Sequence, residues 1–125
     1  MPDVNAITSG ARGTARMITE RAVAAAFNDR GNGFRMAEKD DRAIADYSQA
    51  IQVDPTYAFA FKIRGSIYQR QGDLDRAIAD YSEAIRLQPT FAMAFADRAS
   101  AYQEKGDFGP AIADFSTLIR RRCSS

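Results

Sequence analysis

Three arginines, Arg30, Arg64 and Arg98, stand 34 residues apart, and three aspartates, Asp46, Asp80 and Asp114, keep the same interval. Guanidinium and carboxylate groups repeated in step suit bidentate ion pairs between helices, within or between repeats, with the arginine stems packed on aromatic rings. Independent solvated charges and a ligand role are the competing readings of this ladder. Paired acid-base catalysis is not among them, because it needs two carboxyl groups close together and a rise of one repeat holds these too far apart. Histidine is absent, which removes the commonest general base, the commonest metal ligand and every Ser-His or Cys-His nucleophile arrangement. No P-loop, no GxGxxG and no CxxC occurs in the chain, and the single cysteine, Cys123, reads as an incidental thiol. No catalytic residue, no metal ligand and no cofactor is expected.

The elements that carry these charges repeat as well. The segment RAIADYSQAIQVDP from Arg42 returns at Arg76 as RAIADYSEAIRLQP, and a weaker copy, PAIADFSTLIRR, starts at Pro110. Within the period from Ala58 to Phe91 the apolar and small residues fall at helical spacing in two blocks: Phe61, Gly65 and Tyr68, then Leu74, Ala77, Ile78, Tyr81, Ala84 and Ile85. Gln71-Gly72-Asp73 separates the blocks with a glycine able to end one helix and an aspartate able to cap the next. Pro89 stops the second block. The period is helix, tight turn, helix, short connection. Across the copies Phe27, Phe61 and Phe95 align, as do Tyr47, Tyr81 and Phe115, while Gly31, Gly65 and Ala99 mark where two helices approach closely.

A 34-residue helix-turn-helix unit with aromatic, Gly, aromatic, Ala, aromatic, Ala and Pro at these offsets resembles the tetratricopeptide repeat (TPR). The resemblance implies an all-α fold, a right-handed superhelix (α-solenoid) of three stacked antiparallel helix hairpins. The expected layout is a disordered segment over 1–13, a helical extension over 14–23, and repeats at 24–57, 58–91 and 92–125. Two departures stand out: Ala37-Glu38-Lys39 replaces the glycine turn in the first copy, so that corner should be looser or differently shaped, and Gly31 and Gly33 weaken the first helix. The family more often has leucine at the positions of Arg30, Arg64 and Arg98.

The resemblance also implies a concave groove lined by the first helix of each repeat. By family pattern its residues are Asn28, Asn32, Arg35 and Met36, then Phe59, Lys62, Ser66, Gln69 and Arg70, then Met93, Ala96, Ser100, Gln103 and Glu104. Amide donors, cations and the apolar Phe59 and Met93 suit a protein or peptide partner with an acidic group and an apolar anchor. One subgroup of the family grips a terminal carboxylate with lysine, asparagine and arginine. Of those positions only Asn32 matches, since Asn28, Ile63, Met93 and Asp97 occupy the others, so that clamp is not expected.

A net charge of +1 over 125 residues gives no field for nucleic acid or an anionic membrane, and the basic tail Arg120 to Arg122 fits a helix C-terminus better than a phosphate site. AVAAAF at 22–27 is too short for a secretory core or a membrane span. A soluble, cytoplasmic chain is the expectation. At the other end Ile112, Phe115, Leu118 and Ile119 form an apolar face with no later segment to cover it. The leading functional expectation is a non-enzymatic interaction module that binds a peptide in its groove. The alternatives are a homodimer formed through that face, or a piece of a longer repeat protein or multidomain enzyme.

Overall fold

The computed structural model describes residues 4–124, with side chains from 15 to 122. Tight turns at Glu38, Gly72 and Gly106 and the prolines Pro55 and Pro89 cut the described chain into six helices: α1 (Val4–Met36), α2 (Asp40–Val53), α3 (Ala58–Arg70), α4 (Leu74–Leu87), α5 (Ala92–Lys105) and α6 (Phe108–Ser124). Helices pack in chain order as the hairpins α1/α2, α3/α4 and α5/α6, joined through α2 with α3 and α4 with α5, and α3 also touches α5. First helices therefore share one side of the stack.

The corners show how local sequence sets this course. At the second corner the Gly72 N–H donates to the Gln69 carbonyl and the Asp73 N–H to that of Tyr68, both at 2.9 Å, with Gly72 at φ 82°. The Asp73 carboxylate then accepts from the Arg76 N–H at 3.3 Å, capping α4. After α2 and α4, Asp54 and Gln88 turn extended at φ −130° and −139°, as a following proline requires.

The expected loosening of the first corner is corrected by the structure. Glu38 N–H donates to Arg35 and Lys39 N–H to Phe34, at 3.1 and 2.8 Å, the pattern of the glycine corners. Glu38 reaches it at φ 61°, in the left-handed region that disfavours a β-carbon. Stacking holds the shape, and the residue absorbs the strain.

At the N-terminus α1 starts at Val4, so it runs through most of the stretch 1–13 and the whole of the stretch 14–23. Residues 1–3 lie outside the described residues. Adding turns to a helix already anchored by packing avoids the nucleation cost that an isolated segment would meet. Ala6, Ala11, Arg12, Ala15 and Arg16 propagate helix well.

The core is a chain of small and aromatic residues. Tyr47 and Tyr81 are fully buried, as are Ala43, Ala50, Ala77 and Ala84. A β-carbon at Gly31 would lie 3.0 Å from the Tyr47 ring, and one at Gly65 would lie 2.9 Å from that of Tyr81, so both glycines are where the backbone passes an aromatic face. Across the junctions Ala50 clusters with Ala60 and Ala84 with Ala94, while Tyr47 meets Ile63 and Ile67 and Tyr81 meets Ala101. Burying each such ring is worth about 1.5–3 kcal/mol.

Candidate functional site

The charge ladder resolves first. Arg30, Arg64 and Arg98 each form a bidentate pair with the aspartate of the same hairpin, Nε to Oδ2 at 2.8 Å in all three and Nη2 to Oδ1 at 2.7 to 2.9 Å. Each guanidinium also lies over two rings of its own helix: Phe27 and Phe34, Phe61 and Tyr68, Phe95 and Tyr102. The remaining nitrogen reaches back one repeat, Arg64 Nη1 to Ser48 Oγ at 3.1 Å and Arg98 Nη1 to Ser82 Oγ at 3.2 Å. The ladder is structural glue, and the serines that link one hairpin to the next were missed by sequence reasoning. Their 34-residue interval, Ser48, Ser82 and Ser116, was the available signal.

The predicted groove residues divide into those already engaged and those still open. Lys62 is buried, its Nζ 3.2 Å from Asp97 of α5. Gln69 is fixed on both sides: its Oε1 accepts from the Tyr81 hydroxyl at 2.7 Å, and its Nε2 donates to Ser100 at 3.3 Å and Glu104 at 2.8 Å. Ser66 donates back to the Ile63 carbonyl at 2.8 Å. Arg70 pairs with Asp40 of α2. The Lys62 and Gln69 contacts tie α3 to α5 and the Arg70 pair ties α3 to α2, which leaves less free charge in the groove than the sequence reading expected.

Open capacity concentrates in the first hairpin and in two apolar side chains. Asn28 is 3% exposed, yet its Oδ1 has no hydrogen-bond partner, and Arg35 Nε is likewise buried and unpaired. Asn32 Oδ1 accepts from the Tyr47 hydroxyl. Burial pushes the Tyr47 hydroxyl above the usual tyrosine range, and Arg35 beside it acts in the opposite sense. Phe59 and Met93, one repeat apart, are 42% and 59% exposed, and Gln103 and Met36 are also exposed. Ile63 and Asp97, at two positions of the carboxylate clamp, are buried and ion-paired respectively.

Among the described residues no group of three His, Cys, Asp or Glu stands close enough to hold a metal, and no helix is long and apolar enough to cross a membrane. A hollow of about 550 Å³ lies at the α1/α2 corner among Glu38, Lys39, Asp40, Asp41, Arg42 and Gln71. It has charges of both signs and no buried unpaired atom, and it is separate from the groove residues. In the basic tail Arg121 lies 4.6 Å from the centre of the Phe95 ring and Arg120 donates to Thr117 at 3.2 Å. On α6, Ile112, Ile119 and Phe115 are 64%, 62% and 39% exposed, whereas Leu118 is half-buried. The side chain of Cys123 lies outside those described.

The fold defines a class: an all-α solenoid of helix hairpins, aligned by repeated ion pairs. A family model described as TPR repeat matches residues 65–106. No curated protein matches the chain. Among solved structures, the second TPR of Spaghetti (RPAP3), bound to the HSP90 peptide SRMEEVD, superposes with a TM-score of 0.79 at 31% identity, covering 85% of this chain and 96% of that one. MamA superposes with a TM-score of 0.78 at 28% identity over 81% of this chain, which spans 59% of the MamA chain. The Arabidopsis OM64 TPR domain, at 17% identity, 0.78, and 85% and 88% coverage, speaks for the fold alone. The chain belongs to the tetratricopeptide repeat family, a right-handed superhelix of hairpins whose members are generally non-catalytic interaction modules.

Proposed function

We propose that the chain is a non-enzymatic interaction module that binds a peptide segment of a partner protein along the inner face of α1, α3 and α5. The observation that carries this is the pairing of unmet polar capacity with exposed apolar groups on the first helices. Asn28 Oδ1 and Arg35 Nε are buried without partners, and leaving such groups unpaired costs about 1–3 kcal/mol each unless something binds them. A peptide with backbone N–H groups and one carboxylate meets both, while Phe59 and Met93 receive its apolar side chains. Binding to a stack that is already ordered leaves most of the entropy loss to the peptide, which favours moderate affinity from a small surface.

The RPAP3 domain was solved with an acidic peptide. The same chemistry suits this chain, but gripped differently. Lys62 is neutralised by Asp97, so the acidic group is assigned to Arg35 at the first hairpin and a terminal-carboxylate clamp is not proposed. Titration of acidic peptides carrying an aromatic or aliphatic anchor, followed by fluorescence polarisation, tests the reading. Arg35→Ala, and Phe59→Ala with Met93→Ala, are each expected to weaken binding about tenfold, or about 1.4 kcal/mol. Equal affinity in all variants would overturn the groove assignment.

A second reading, self-association through α6, is favoured by the exposure of Ile112 and Ile119. Cytoplasmic location and the absence of nucleic-acid or membrane partners stay part of the proposal, on the balanced charge of the chain.

A further inference from the structure

The geometry points to head-to-tail docking, in which a second copy of this chain sets its first hairpin on the outer face of α6 in the register that joins hairpins within one molecule. This rests on the self-association reading and goes beyond it by naming the surface that α6 receives. Each internal junction repeats three contacts. A small residue of the second helix meets an alanine of the next hairpin (Ala50 with Ala60, Ala84 with Ala94), and an aromatic meets the position seven residues further on (Tyr47 with Ile67, Tyr81 with Ala101). A serine accepts from the arginine of the next hairpin.

Advancing that register by one period places Leu118, Phe115 and Ser116 on the tail, opposite Ala26, Gly33 and Arg30 on the head of another copy. All three head positions are in a receptive state. The Arg30 side chain is 64% exposed, against 19% and 20% for Arg64 and Arg98. Its Nε and Nη2 hold Asp46, and its Nη1 lacks the serine that the other two have. Gly33 faces open space, with no atom within 4 Å of where a β-carbon would stand, and that leaves room for the Phe115 ring.

Ala26 lines an apolar pocket of about 320 Å³ with Val23, Phe27 and Arg30. Leu118 is the one place where the tail departs from the internal junctions by size, with leucine where Ala50 and Ala84 stand, and the pocket on the head is the matching departure. A contact between two different surfaces does not close on itself, so the assembly is an open array in which each copy continues the superhelix of the last.

Static light scattering of the chain across a dilution series tests this. The weight-average mass is expected to rise with concentration past twice the monomer mass of 13.8 kDa. Gly33→Arg blocks the head, and Ile112→Glu with Ile119→Glu blocks the tail; all lie at exposed positions, and circular dichroism checks that each variant stays helical. Each alone is expected to lose about tenfold or more in association constant, while an equimolar mixture forms a one-to-one complex, because each partner keeps one working face. A wild-type chain that stays at monomer mass throughout sinks both the register and the self-association reading. A head-blocked variant that associates like wild type, or a mixture that stays monomeric, overturns head-to-tail docking and leaves self-association to another face.

Discussion

At the residue scale, the same ion pair occurs three times in different surroundings, which separates chemistry from context. Arg64 and Asp80 are largely shielded, whereas Arg30 sits mostly in water over an equally buried Asp46. Removing one member of a shielded pair strands the other, at about 3–5 kcal/mol, while solvent blunts the loss at an exposed site to about 1 kcal/mol. Arg64→Leu is therefore expected to cost about 3 kcal/mol in urea denaturation and Arg30→Leu distinctly less; equal losses would show that shielding does not set the value of the pair.

The buried tyrosines carry a pH signature. Burial, with the nearby Asp97, Glu104 and Asp80 adding to it, pushes the Tyr81 hydroxyl well above its ordinary value of 10. The folded state thus favours the protonated phenol, and the resulting stability is complete below pH 10 and declines above it toward the raised folded value. Tyr81→Phe should cost about 1 kcal/mol at neutral pH through the lost bond to Gln69. It should also flatten the alkaline fall in melting temperature; an unchanged slope between pH 9 and pH 11 would count against this origin.

At the element scale, the three corners share one hydrogen-bond pattern, yet only the first lacks glycine. Glu38→Gly is expected to stabilise the chain by about 1 kcal/mol, since it relieves a left-handed backbone that glycine adopts freely. Gly65→Ala should act in the opposite sense, losing about 1–3 kcal/mol as its methyl meets the Tyr81 ring and the Asp80 β-carbon. Thermal melts of the two variants decide whether the corner is held by its neighbours, as argued, or prefers this shape by itself.

At the scale of the whole molecule, stability in a stack of repeats is a sum of hairpin terms and nearest-neighbour junctions. The middle hairpin has a junction on each side, whereas the described part of α6 packs chiefly on α5. Hydrogen exchange in dilute solution is expected to be slowest in α3 and α4 and fastest in α6. Protection of α6 equal to that of α4 at high dilution would contradict a nearest-neighbour account.

The 34-residue period by itself determined the helices, the glycine and proline boundaries, the three hairpins and the pairing of arginine with aspartate types, because each depends on residues close in sequence or repeated in step. The tertiary structure decided what those residues do once neighbours arrive. It sent Lys62 to Asp97 and Gln69 to Tyr81, left Asn28 and Arg35 with unmet bonds, and forced Glu38 into a glycine conformation. Those outcomes turn on distances between side chains of different helices, set by how closely the backbones stack around Gly31 and Gly65, and no local pattern encodes such a distance.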